Sequence, residues 1–356
     1  MICEKRGEII MTPKQKVLAC IRGEKLDEYV NQFEYVKLAF DPATLFAMGQ
    51  VQKGGTWKNG WGVEMEFPEN VPGMFPNTSP EFVVVDDVTN WKEKVHMPRT
   101  EFTDEEWAPT IAQVNAIDRD QYFVAPFIAP GIFEKLHYLM GMEECMINFY
   151  DEPEAMHELI DYLVEYELKV AKEVIDHIHP DALFHHDDWG SQRSSFLSPE
   201  MFEEFIVPAY EKIYGYWKAN GVELIIHHSD SYGANLVPSM IKMGIDIWQG
   251  CMYGNDIPNL IKTYGGQISF QGGIDNGKVD RGDWTKEYVE AETRKVISEV
   301  NSKNYFIPAT VMGEPGSVFP GVYDFITDVI DAINRGGEVI VDESQEVTKP
   351  MTHFEK

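Results

Sequence analysis

Two polar clusters stand out in an otherwise apolar stretch of the sequence: His185-His186-Asp187-Asp188 and His227-His228-Ser229-Asp230. Each follows a short apolar run, Ala182-Leu183-Phe184 and Leu224-Ile225-Ile226. Imidazole beside carboxylate supports two chemistries, a general acid–base pair or nitrogen and oxygen ligation of a divalent metal. Side chains of a strand alternate between its faces, so His228 and Asp230 share one face while His227 takes the other. His228, Asp230 and Asp188 are therefore the catalytic candidates, with a hydrogen-bonded pair capping the strand end as the plainer alternative. Asp187 and Asp188 are adjacent and must diverge, so one is expected to face a substrate and the other to cap backbone. Of His185 and His186, one is expected to face the same rim.

Further along, Gln192, Gln271 and Asp275 are candidates for orienting a substrate by hydrogen bonds, and equally for loop scaffolding. Glu314 lies in Gly313-Glu314-Pro315-Gly316, where turn chemistry accounts for the glycines and proline but not for the carboxylate. With His186 and Asp187, these four complete the substrate-binding candidates. Cys251 follows a strand and offers a thiol ligand, although a lone cysteine is more often an inert core residue. Trp57, Trp61 and Trp189 suit either an aromatic mouth or core packing.

The elements around these residues alternate. From about residue 120, short apolar runs (Tyr122–Ile128, Ala182–Phe184, Glu223–Ile226, Ile245–Trp248, Ile268–Phe270, Tyr305–Ile307) alternate with helical patterns. Helices are expected from Asp151 with Pro153 in the first turn, from Ser198 as N-cap with Pro199, and over about 235–243, 257–264, 284–301 and 322–334. Strand–helix alternation predicts a parallel sheet covered by helices. No glycine-rich dinucleotide fingerprint follows an early strand, and polar residues end several separate strands. Both features favour one (β/α)8 TIM barrel of α/β class, whose single rim gathers strand ends. The first hundred residues read as an irregular N-terminal extension of hairpins and loops, with a helix over 13–22, a strand between Glu34 and Phe40, and Gly/Trp/Pro-rich turns over 54–80. Residues 1–10 are expected to be a tail, 11–350 one domain, 11–110 the extension and 111–345 most of the barrel.

The chain has 356 residues, a formal net charge of −29, and four scattered cysteines, Cys3, Cys20, Cys145 and Cys251. Such a field repels phosphate backbones and anionic lipid, so nucleic-acid and membrane roles are not expected. The cysteines form no CxxC pair or disulfide framework, and no apolar run is long enough to span a bilayer, which together suggest a cytoplasmic protein.

The segment from Asp187 to Pro208, DDWGSQRSSFLSPEMFEEFIVP, resembles the uroporphyrinogen decarboxylase superfamily, as do His228-Ser229-Asp230 with Gly233 and Gln271-Gly272-Gly273-Ile274-Asp275. Gly313-Glu314-Pro315-Gly316-Ser317 and Phe319-Pro320-Gly321-Val322-Tyr323 are similar to a C-terminal motif of one branch, and the likeness covers about residues 11–340. The resemblance implies one of two activities. True decarboxylases carry an N-terminal Arg-Gln-Ala-Gly-Arg segment; here Phe40-Asp41-Pro42 occupies that region, and no arginine lies between Arg22 and Arg99. The other branch comprises corrinoid-dependent methyltransferases, which bind zinc through His-x-Cys and a distant Cys. Here His228 is kept, Asp230 stands at the first Cys position, and Pro308–Ser317 contains no cysteine. The implied metal set is therefore harder: His228, Asp230 and Glu314.

The resemblance thus points to an enzyme moving a methyl group between a small methylated donor or acceptor and a separate corrinoid protein carrying methylcobalamin, with zinc as the candidate metal. Porphyrinogen decarboxylation without a cofactor and a non-catalytic binding barrel are the alternatives. The assembly is left open, a homodimer among the options.

Overall fold

Seven strands are buried on nearly every residue, so each is covered on both faces. In the computed structural model, which describes residues 11–49, 51–69, 74–313 and 319–340 and two short N-terminal strands, Glu4–Lys5 and Glu8–Ile9, they form one parallel sheet. In chain order they are β1 (Val36–Ala39), β2 (Phe123–Ile128), β3 (Ala182–His186), β4 (Leu224–His228), β5 (Ile247–Cys251), β6 (Ser269–Ile274) and β7 (Phe306–Thr310). Each pairs with its neighbour in sequence.

Two separate cores show how the sheet is covered. Alternate residues, among them Val124, Leu183, Ile225, Trp248, Phe270 and Phe306, pack outward against the helices. The intervening set, Val36, Leu38, Phe123, Phe184, Ile226, Ile247 and Ile307, forms a second core shared by β1 and β7. First and last strands can share one interior only if the sheet curls on itself, as in a TIM-like barrel. An eighth strand is not found among the described residues. Instead the segment before β1 bridges the gap: Tyr35 Oη donates to Gln271 Oε1 at 2.6 Å, Gln271 Nε2 donates to the Gln32 carbonyl at 3.2 Å, and the Phe33 N–H donates to Tyr323 Oη at 3.4 Å.

The connections are right for such a curl, since parallel neighbours need long crossovers. Helix Pro153–Ile178 returns the chain from β2 to β3, Val207–Ala219 from β3 to β4, and Lys286–Val300 from β6 to β7. The helix starting at Pro13 carries a reciprocal cap: Thr12 Oγ1 accepts from the Gln15 N–H at 3.1 Å, and Gln15 Oε1 accepts from the Thr12 N–H at 3.0 Å. Strand β1 lies inside the region read as an extension. The irregular remainder of that region includes an antiparallel sheet of Gly55–Lys58, Glu64–Phe67 and Phe75–Pro76. Among the described residues, no helix is long and apolar enough to cross a membrane.

One ion pair is built into the outer core. Lys135 Nζ contacts Glu167 Oε1 and the Pro130 carbonyl, and the two side chains are 4% and 1% exposed. Burial opposes the charged form of Glu167, but Lys135 and then His185 outweigh it and bring its pKa down to about 2. A depressed carboxyl pKa stabilises the fold above the ordinary carboxylate range, and that share is lost as pH falls toward 2. Lys135→Met strands the carboxylate and is expected to cost about 3–5 kcal/mol in urea denaturation at pH 7. The double variant with Glu167→Leu recovers most of the loss. Equal loss in both would contradict the pair's role.

Candidate functional site

The ladder between β3 and β4 sets His186 opposite His228 and His185 opposite His227. Alternation then sorts the two polar clusters by face. Residues 184, 186 and 188 and residues 226, 228 and 230 continue the inner face of the curl; His185, Asp187 and His227 turn to the outer one. The inner set ends in a cavity of about 540 Å³. Its polar lining includes Glu134, Tyr138, His186, Asp188, His228 and Asp230, and its walls are Phe127, Phe184, Phe196 and the methionines Met48, Met65, Met74, Met142 and Met312. Met65, Phe75 and Pro76 of the antiparallel sheet cover one side.

Within the cavity the groups are close. The His186 and His228 rings stack with centroids 4.3 Å apart. His186 Nε2 lies 3.4 Å from Glu134 Oε2 and 3.7 Å from Asp188 Oδ2. Burial disfavours an imidazolium there, but the charges of Glu134 and Asp188 prevail and hold the His186 pKa well above its ordinary value. Asp188 Oδ1 also accepts the Asp230 N–H at 3.0 Å. Although burial pushes the other way, His186 and this backbone donor keep Asp188 well below the usual carboxylate range. Asp230 lacks such donors, and burial with the charge of Asp188 raises it to about 8.

His228 is fixed differently. Its Nδ1 meets Gln249 Oε1, while Gln249 Nε2 faces the carbonyls of Thr310 and Val311 at 3.5 and 3.3 Å. Two carbonyl acceptors demand the amide nitrogen, so the Gln249 oxygen must face His228 and Nδ1 must carry the proton. Nε2 is then left with its lone pair. Burial, reinforced by His186, lowers the His228 pKa to about 4, which keeps the ring neutral.

Behind the sheet, Asp187 is a structural anchor. Oδ2 accepts from Tyr210 Oη (2.6 Å), Trp189 Nε1 (2.9 Å) and the Phe133 N–H (2.9 Å), and Oδ1 accepts from the Glu134 N–H (2.8 Å). Burial and then Glu134 push its pKa up to about 7, against the pull of these donors. Two of the four come from the first turn of helix Ile132–Met140, so Asp187 positions the helix that carries Glu134. His227 Nε2 donates to the Asp187 carbonyl at 3.1 Å, leaving Nδ1 to accept from Tyr214 Oη at 2.6 Å.

The expected site residues are thus divided. His186, Asp188, His228 and Asp230 converge on the cavity. Asp187 was expected to bind substrate and is instead fully buried with its oxygens occupied by the protein. Gln192 is exposed in the loop after β3 and outside the cavity lining. Gln271 is committed to Tyr35 and Gln32, and Asp275 caps the helix Asn276–Val279 through the Gly277 N–H at 3.0 Å. Glu314 lies outside the described residues. Among the described residues, His186, Asp188 and His228 have ligand atoms within 4.8 Å of one another. His228 belongs to the expected metal set, and the ladder sets His186 beside it. Cys251 and Trp189 are core residues, Trp61 likewise, and half-buried Trp57 donates to the Met48 carbonyl at 2.9 Å. Glu134, Tyr138 and Gln249 were missed. Gln249 had a signal, a lone amide in the apolar strand Ile247-Trp248-Gln249-Gly250-Cys251, two residues on from inward Ile247.

A polar cavity at the C-terminal ends of a curled parallel sheet fits the resemblance drawn from the motifs, and comparison with known families decides it. The family model for uroporphyrinogen decarboxylase (URO-D) matches residues 58–330. The chain belongs to the URO-D family. No curated protein matches it significantly. Among solved structures, a methyltransferase from Methanosarcina mazei is similar with a TM-score of 0.58 at 11% identity, covering 92% of this chain and 99% of that one. At that identity the likeness speaks for the fold alone, over nearly the whole chain.

The anchor behind this URO-D site has no room to spare. A Cβ on Gly131 would lie 2.3 Å from Asp187 Cβ and 2.4 Å from Tyr210 Oη. Gly131→Ala is expected to cost at least about 1–3 kcal/mol in chemical denaturation, as overpacked sites do. Wild-type stability in that variant would contradict the packing described.

Proposed function

We propose that this URO-D family member is the substrate-handling component of a methyl-transfer system. The cavity binds a small methylated molecule, and a separate corrinoid protein accepts the methyl group as cob(I)alamin or donates it as methylcobalamin. The observation that carries the reading is the convergence of His186, Asp188 and His228 within 4.8 Å at adjoining strand ends, with the bare Nε2 of His228 turned from Gln249. The likeness of the fold to a methyltransferase structure supports it.

These donors fit a divalent metal. Metal-bound histidines typically give their other nitrogen's proton to an oxygen acceptor, as His228 does to Gln249. Two imidazoles and a carboxylate, with Asp230 alongside, suit zinc without thiolates. When bound there, zinc would supply Lewis acidity toward an ether oxygen or amine nitrogen bearing the methyl group. The protein's own groups do the rest. Asp188, held ionised by His186 and the Asp230 N–H, keeps a fixed negative charge at the strand ends. Asp230 stands where a proton can be held for the departing heteroatom. The apolar walls exclude water from the reacting carbon.

Porphyrinogen decarboxylation has weaker support, because three carboxyl groups and no lysine or arginine line the cavity among the described residues. A polyanionic substrate would find only histidines to pair with.

Two measurements test the proposal. In zinc titrations the full chain should bind one equivalent, His228→Ala and Asp188→Asn should abolish it, and Gln249→Leu should weaken it about 10–100-fold. Unchanged affinity in all three would remove the metal site. In turnover assays with methylated ethers and amines, demethylation should require an added corrinoid protein or free cob(I)alamin. Turnover without either, or release of carbon dioxide from uroporphyrinogen, would overturn the methyl-transfer reading.

A further inference from the structure

The charge of the cavity says what kind of molecule it receives. Glu134 is 6% exposed and lines the cavity, yet only one of its carboxylate oxygens has a hydrogen bond, from Tyr138 Oη at 3.2 Å. Oε2 has none; its nearest charged neighbour is the His186 ring at 3.4 Å, which is shared with Asp188. A buried carboxylate oxygen without a donor is costly, roughly 1–3 kcal/mol or more, and the cost is removed when a cation or donor arrives. Asp188 and Asp230 add two more carboxyls, and no lysine or arginine lines the cavity among the described residues. Among five methionines, the walls also carry Phe127, Phe184 and Phe196, and aromatic ring faces attract cations while apolar side chains exclude water. At about 540 Å³ the space exceeds a bare methylammonium ion and fits one carrying an organic body. The protein's net charge of −29 draws cations toward it from a distance.

We infer that the cavity recognises a methylated ammonium head, a quaternary or protonated tertiary amine, with Glu134 as its counter-ion and the phenylalanine walls around it. The inference rests on the reading of this cavity as the substrate site, and names its substrate class; such a nitrogen has no lone pair for a Lewis acid, so its activation comes from its own positive charge and not from a metal at His186, Asp188 and His228. On transfer from a quaternary head the C–N bond breaks, nitrogen keeps the electron pair, and the bond to carbon forms at the nucleophilic corrinoid of the partner. A neutral tertiary amine remains, so no proton is needed.

Calorimetric titration of the full chain, without corrinoid, tests this with probes matched in shape. Choline and phenyltrimethylammonium should bind at least about tenfold more tightly than 3,3-dimethylbutan-1-ol, the uncharged counterpart of choline, and than benzoate. Glu134→Gln should lower affinity for both cations about tenfold, leave the alcohol unchanged, and not lower the melting temperature. Equal binding of the alcohol, tighter binding of benzoate, no binding of either cation, or cation affinity unmoved by Glu134→Gln would each overturn it. Because no methyl transfer is measured, such a failure leaves transfer from a neutral ether standing. Conversely, a strong cation preference in a chain that never demethylates would count against the methyl-transfer reading alone.

Discussion

The side-chain amide of Gln249 sits between two backbone carbonyls and one imidazole, and a single orientation satisfies all three. That orientation dictates the tautomer of His228, and the tautomer dictates which nitrogen the cavity sees. Nothing in the cavity itself could impose this, because the instruction comes from β5 and the residues that end β7. The chemistry of the site therefore depends on three strands holding their register, and register in a curled parallel sheet is set by the whole ring of apolar contacts inside it. A slip of one residue in β4 would send His228 outward and His227 inward, exchanging a bare nitrogen for one engaged by Tyr214.

A division of labour between the two faces of the sheet follows from the same alternation. The even-numbered members of the two clusters, His186, Asp188, His228 and Asp230, form the cavity; the odd-numbered His185, Asp187 and His227 form a buried polar layer behind it. This rear layer is not idle. Asp187 gathers two backbone N–H groups, an indole and a phenol, and fixes the helix on which Glu134 stands. Lys135, next to Glu134, is tied through Glu167 to helix Pro153–Ile178 and toward His185. The front layer's carboxylates can thus stand unpaired or share a partner, because the rear layer's groups are held in place. Buried polar networks of that kind rigidify only when their members are satisfied, and Asp187 is the most fully satisfied of them.

Much of this was legible from the residues. Alternating apolar runs and helical patterns gave the parallel α/β architecture, and the period of two separated His228 and Asp230 from His227 correctly. The paired clusters also suggested that Asp187 and Asp188 would diverge, although not which would face inward. What the residues could not show was lateral pairing. His186 becomes a partner of His228 only because β3 and β4 are adjacent in register, a fact no spacing within either cluster encodes. Glu134 was missed for a related reason: it lies on a helix beyond the strand, and its approach to His186 is set by Asp187 from behind. Gln271 and Asp275 fit the superfamily pattern, yet their hydrogen bonds serve the fold, one tying β6 to the segment before β1 and the other capping a helix. The described sheet has seven strands where eight were expected, and Tyr35, Phe33 and their partners hold the seam.

Nitrogen NMR of the histidine-labelled full chain tests the central claim most directly, since the one-bond and two-bond couplings identify the protonated nitrogen of each ring. The account predicts that His228 is neutral at pH 7, with its proton on Nδ1 and a bare Nε2, and that Gln249→Leu disturbs this pattern while leaving His227 as it was. A His228 ring protonated on Nε2, or on both nitrogens at that pH, would contradict it.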